Sequence, residues 1–186
     1  MRAFIAVPLT DEIRAALTPV IDELGKAKGI RTVLPENLHL TLDFLGEIRE
    51  AEIGPLCEKL KGAAEKTSTF LLTVSGVGAF GKGGKPNVLW VGIEKNAALA
   101  KLAYDVKAAS GTEDGKKFSP HLTVGRIKFS DEKQRDILER FFRWEHRDFG
   151  TMKADHFSLM KSDLSGKTPV YTVIRKFILK DGEKNG

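Results

Sequence analysis

Apolar and polar positions alternate with a period of two in some stretches of this chain and recur every three to four residues in others. Arg2-Ala3-Phe4-Ile5-Ala6-Val7 is a short β-prone run that reads as a first strand. A helix is predicted to begin near Thr10-Asp11-Glu12, with Thr10 as N-cap and two carboxylates in the turn where the helix dipole favours negative charge. His39-Leu40-Thr41-Leu42 alternates as a half-buried strand does. Ile53, Leu56, Cys57 and Leu60 then follow i, i+3, i+4, i+7, the stripe of an amphipathic helix. Asn87 to Ile93 predicts another strand, and Leu99, Leu102, Ala103 and Val106 a helix after it. The polar loop Gly111-Thr112-Glu113-Asp114-Gly115 leads to a further strand, His121-Leu122-Thr123-Val124. Ile137, Leu138, Phe141 and Phe142 form a last helical stripe.

The pattern repeats. His39-Leu40-Thr41-Leu42 returns 82 residues later as His121-Leu122-Thr123-Val124, and the same offset carries Val88-Leu89-Trp90-Val91 onto Val170-Tyr171-Thr172-Val173. The order of elements is β-α-β-α-β, then β-α-β-α-β-β. The fold class expected is α+β, a duplicated bilobal arrangement with a pseudo-twofold relation. Each lobe would be an antiparallel sheet with helices on its outer face, and the cleft would lie between the lobes. With no long linker, residues 1–186 are expected to form a single bilobal unit.

Composition narrows the function classes. The chain is long enough to bury about 70% of the surface its unfolded form exposes, so it needs no staples. Its 41% hydrophobic and 30% charged residues are ordinary for a soluble globular protein. No apolar run approaches the roughly 20 residues of a membrane span. The opening residues turn polar too quickly for a signal peptide. Cys57 is the single cysteine, which excludes an internal disulfide and a multi-thiolate metal site and suits the cytoplasm. A net charge of +5 favours an anionic partner, nucleic acid being one candidate. No block of like charges forms a tail, so any basic surface must be assembled by folding.

Strand alternation puts Leu40 and Leu42 on one face and His39 and Thr41 on the other, and the second copy divides the same way. If the leucines and valine enter the lobe cores, both His/Thr pairs face one shared cleft. That suits phosphodiester hydrolysis without a metal: one neutral imidazole takes a proton from water and one imidazolium gives a proton to the leaving oxygen. Each role is worth on the order of 10²–10⁴ in rate. Thr41 and Thr123 can donate to the phosphate oxygens, and Arg126 can offer a planar fork to the same group. Strict alternation would turn Arg126 away from His121, so its role needs a bulge, for which Gly125 is the candidate. A single His-x-Thr-x strand is common and means little; two matching copies carry the inference.

Other features read more plainly. Phe4 is a candidate for stacking on a base, although an aromatic residue in a first strand is more often core. Trp90 and Tyr171, adjacent in the paired repeats, read as structural. His146 and His156 have no repeat partners and no ligand cluster nearby, so they read as ordinary histidines. Asp43 follows the first histidine strand and is a candidate to orient a neighbour, but reads more simply as a solvated charge. Gly76-Val77-Gly78-Ala79-Phe80-Gly81 fits G-x-G-x-x-G, but Lys82-Gly83-Gly84-Lys85-Pro86 cannot open the helix that motif requires, and Gly83 replaces the hydroxyl residue of a P-loop. The segment reads as a flexible loop, with Lys82 and Lys85 as candidates for contact with a nucleic-acid backbone.

Taken together, several stretches resemble the two-histidine (2H) phosphoesterase superfamily, in particular the RNA 2′,3′-cyclic phosphodiesterases once named 2′-5′ RNA ligases. They are Arg2 to Ala6, Pro35 to Leu42 with Phe44-Leu45-Gly46-Glu47, Val88 to Gly92, Phe118 to Thr123 with Arg126, and Phe157 to Leu159. Thr32 departs from the aromatic residue such enzymes often carry there. The resemblance implies a duplicated α+β fold with a central cleft, no metal and no cofactor. It implies opening of the cyclic end to a 2′-phosphate, with His39 as general acid toward the 3′-oxygen and His121 as general base toward water. The sequence alone does not order those two roles. The partner implied is RNA with 2′,3′-cyclic phosphate ends, tRNA halves among the candidates. A monomer is expected, because the duplication supplies both halves of the site. Two alternatives stand beside this reading. ATP-independent 2′-5′ ligation reverses the same chemistry. A non-catalytic RNA- or nucleotide-binding module would not need the paired histidines, paired threonines and Arg126.

Overall fold

The first strand, β1 (Arg2–Pro8), is buried on both faces from Ala3 through Val7: it lies inside a sheet covered on one side by helices, and on the other side Phe4 is covered by His39, Phe44 and Tyr171. The structure, a computed structural model, describes residues 1–83, 85–113, 115, 117–129 and 134–181. After β1 come α1 (Asp11–Gly25), the short β2 (Ile30–Thr32), a 3-10 turn (Pro35–Asn37), β3 (His39–Glu47) and α2 (Glu50–Glu65). The hairpin of β4 (Phe70–Lys82) and β5 (Lys85–Ile93) follows, then α3 (Ala97–Ser110) and β6 (His121–Ile127). The chain ends with α4 (Gln134–Phe142), β7 (Asp148–Ala154), β8 (His156–Asp163) and β9 (Val170–Ile178). Thr10 caps α1 as expected, its hydroxyl accepting from the Ile13 amide at 3.4 Å.

The strands form two antiparallel sheets, β3-β1-β8-β9 and β2-β6-β5-β4-β7. Helices α2 and α3 pack together against the first, and α1 and α4 against the second. Leu40, Leu42, Leu122 and Val124 are buried, as the alternation required. This is the expected α+β fold, but the lobes are not successive halves of the chain. Strand β1 belongs to the first sheet while α1, which follows it, covers the second; β5 and α3 make the reverse exchange. Chain order therefore does not divide the sheets, and each of these two helices covers the sheet that its preceding strand does not enter.

Three further expectations need correction. Strands β2 and β7 escaped the periodicity: three residues are too few to show a period, and Gly150, at φ 114°, interrupts the alternation of β7. The strand aligned by the repeat with β9 is β5, yet β5 lies beside the His121 strand, where its counterpart is β1; β9 stands at a sheet edge. The glycine-rich stretch is not a loop. It is the body of β4, which turns tightly into β5 with Lys82 opposite Lys85. Its glycines make room for neighbours: a Cβ on Gly78 would lie 2.3 Å from the Trp90 ring, and one on Gly81 2.0 Å from the Lys85 carbonyl oxygen. Gly84 lies outside the described residues, as does Asp114 in the loop before β6.

Asp43 is also not a solvated charge. It is 6% exposed and accepts a hydrogen bond from Ser110 Oγ at 2.6 Å, tying the end of α3 to the His39 strand. Asp43→Ala leaves that buried arrangement unsatisfied and is expected to cost about 1–3 kcal/mol, read as a lower urea midpoint, with Asp43→Asn recovering part of the loss. An unchanged midpoint for the alanine variant would show that the contact does not hold the strand.

Candidate functional site

Both histidine strands carry the same irregularity. On β3, Thr41 pairs with Ala6 and Asp43 with Ile5, so Leu42 is an extra residue. On β6, Thr123 pairs with Trp90 and Gly125 with Leu89, so Val124 is the extra one. Each is a β-bulge, which breaks the alternation and returns the residue five positions after the histidine to the histidine's own face. Two successive buried residues mark the bulge in each strand, Leu42-Asp43 and Val124-Gly125. The bend that Arg126 needs is therefore present. A Cβ at Gly125 would come within 3.2 Å of Ile30 Cγ2 and 3.4 Å of Leu24 Cδ1.

His39, Thr41, His121, Thr123 and Arg126 line one cavity of about 650 Å³, together with Phe4 and residues from both sheets. That volume suits a nucleotide-sized ligand. Each imidazole is anchored alike: His39 Nδ1 lies 2.7 Å from the Asn37 carbonyl oxygen, and His121 Nδ1 lies 2.7 Å from that of Ser119. A carbonyl can only accept, so Nδ1 donates in both rings and Nε2 is left to exchange protons. Burial pushes the His39 pKa below the ordinary imidazole value; the Asn37 carbonyl opposes this, and positive charge on His121 adds to the lowering.

Aromatic rings fix both imidazoles from the side. Phe4 lies 4.8 Å from the His39 ring, Tyr171 meets it edge-on at 5.3 Å, and Phe80 meets the His121 ring edge-on at 4.8 Å. Phe80 leans on Trp90, which lies over Gly78, so the glycine-rich strand serves to position His121's neighbour. Phe4 is 4% exposed and spent on His39 and Tyr171, whereas Phe44 is 63% exposed with its ring at the cavity. Tyr171 is a cavity residue, contrary to its structural reading. Burial raises its pKa, against the charges of Arg126 and Arg2.

Sequence reasoning missed Phe44, Phe80 and Tyr171. For Phe44 the signal was there: the repeat offset carries Arg126 back onto it. Thr32 lines the cavity; Lys82 and Lys85 are not among its lining residues. His146 is exposed beside Glu145, and His156 pairs with Asp155. Among the described residues, no group of three or more His, Cys, Asp or Glu side chains is placed to hold a metal ion. No helix among them is long and apolar enough to cross a membrane.

Comparison with known proteins places this arrangement. The model of the LigT-like phosphoesterase family matches the chain twice, over residues 7–90 and 91–171. The RNA 2′,3′-cyclic phosphodiesterase of Archaeoglobus fulgidus is 37% identical over 180 residues, covering 95% of this chain and 99% of that protein. The protein of the same name from Thermotoga maritima is 33% identical, covering 94% and 93%. Among solved structures, TT0787 of Thermus thermophilus superposes with a TM-score of 0.83 at 31% identity, covering 97% of this chain and 99% of that one. The double match follows the repeated histidine strands, and the chain belongs to the LigT-like phosphoesterase family.

Proposed function

We propose that this protein opens RNA 2′,3′-cyclic phosphate ends to 2′-phosphates, with His39 and His121 as its acid–base pair and no metal in the reaction. The observation that carries this reading is the duplicated anchoring of the two imidazoles. Each has its Nδ1 hydrogen committed to a carbonyl two residues upstream, and both rings line one cavity. The names of the relatives from Archaeoglobus fulgidus and Thermotoga maritima support the same substrate class.

In the reaction, His121 Nε2 takes a proton as water oxygen attacks phosphorus. The bond from phosphorus to the ribose 3′-oxygen breaks, and His39 Nε2 gives its proton to that oxygen. One water is consumed, the 2′-ester remains, and the two rings end with their protonation exchanged. The Thr41 and Thr123 hydroxyls and the Arg126 guanidinium stabilise the charge that grows on the non-bridging oxygens. His39 must hold a proton against its burial, and the anionic phosphate seated beside it offsets that cost. The terminal base stacks on the open ring of Phe44, while Phe4 holds His39 in place.

The test is product analysis on a cyclic-ended oligonucleotide in the presence of chelator. A 2′-phosphate product is expected; a 3′-phosphate product, or activity abolished by chelator, overturns the mechanism. His39→Ala and His121→Ala are each expected to lower turnover by roughly 10² or more in single-turnover assays. The pH profile of kcat/KM, which reports the free enzyme, should be bell-shaped. The active pair carries one proton, and binding of a second is opposed by the burial of His39 and by repulsion between two imidazolium charges. The acid limb is therefore expected below the ordinary histidine value of about 6.5, as a property of the pair. An acid limb at or above that value would contradict the coupling.

A further inference from the structure

Arg31 and Arg126 stand directly opposite each other on β2 and β6. Cross-strand partners share a face, and like charges so placed destabilise a sheet, so the fold alone does not account for the pair. Lys128, two residues beyond Arg126, returns to that face. All three are exposed and line the cavity. With Arg2, they make four cations among the described lining residues, which include no carboxylate. Arg31 donates one N–H to the Lys167 carbonyl, leaving the remaining donors of its fork for a ligand. Because the bulge absorbs Val124, the cavity-lining Thr123 and Arg126 follow one another along β6 at a step of roughly 6.5–7 Å, and Lys128, one residue past the end of the strand, continues the line. The cations thus lead away from the imidazoles at about the interval between successive phosphates of an extended strand.

We infer that Arg31 and Lys128 form a second phosphate subsite, which takes the phosphodiester joining the terminal nucleotide to the one before it. The inference rests on the reading of the histidine cavity as the site of the cyclic phosphate. A nucleoside 2′,3′-cyclic phosphate has nothing to place in this subsite, whereas a cyclic-ended dinucleotide does. The subsite makes the protein select chain ends over free cyclic nucleotides. It acts through KM, because its charges lie away from the reacting phosphorus and bind ground and transition states alike.

The experiment measures kcat/KM of the full chain on adenosine 2′,3′-cyclic phosphate and on the adenylyl dinucleotide ending in the same cyclic phosphate, at low and high salt. Wild type is expected to prefer the dinucleotide by about tenfold or more at low salt, the size of one or two charge-assisted contacts, with the steeper salt dependence. Lys128→Gln and the double variant with Arg31→Gln are expected to remove most of that preference through KM, leaving the mononucleotide rate within about twofold. Arg31→Gln also frees the Lys167 carbonyl, so Lys128→Gln carries the test, with thermal melting to show that it is folded. Equal losses on both substrates, or no loss on the dinucleotide, overturn the subsite. If wild type opens neither substrate, the reading of the histidine cavity falls first, and this inference with it.

Discussion

The hydrogen bond from each imidazole Nδ1 to the carbonyl two residues upstream is what the rest of the site depends on. At 2.7 Å in both copies, it fixes the ring's rotation and its neutral tautomer together. Without it, Nε2 could not be committed to proton exchange, and the paired threonines would flank a ring of uncertain direction. The segment before the His39 strand is itself held. Asn37 closes the 3-10 turn, and its side-chain amide donates to the Pro169 carbonyl at 2.9 Å, so one support of His39 reaches across to the β8–β9 connection.

Around this shared anchor the two copies differ where difference has consequences. The bulge places Gly125 under Arg126 and Asp43 beside Phe44. Gly125 lets Leu24 and Ile30 approach the His121 strand, and Asp43 instead binds the end of α3. On the exposed side of the same bulges stand a guanidinium in one copy and an aromatic ring in the other. A strictly symmetric cavity could receive a nucleotide in either direction. With a cation at one bulge and a ring at the other, this cavity has two unlike sides.

The convergence of His39 and His121 on one cavity was legible because each stands with a threonine on one face of a strand, and duplication wrote that pattern twice. The fold class was legible for the same reason. What stayed hidden depended on pairing. The exchange of α1 and α3 between sheets leaves no mark on periodicity, since an amphipathic helix looks the same whichever sheet it covers. The glycine-rich segment looked like a loop because its residues are small, yet they are small because the Trp90 ring lies over Gly78 and the Lys85 carbonyl against Gly81. Asp43 looked solvated because the bulge that buries it is invisible without β1 beside it. Tyr171 entered the cavity by tertiary packing with Phe4 and His39, which no local pattern encodes.

The central claim is that two imidazoles from distant parts of the chain address one phosphate. It is tested most directly by following the ring nitrogens of His39 and His121 by ¹⁵N NMR during titration with a nucleoside 2′-monophosphate. Both Nε2 signals are expected to move together, with one midpoint and one equivalent of ligand, while both Nδ1 atoms keep their protons. Response of one ring alone, or two separate midpoints, would contradict the account.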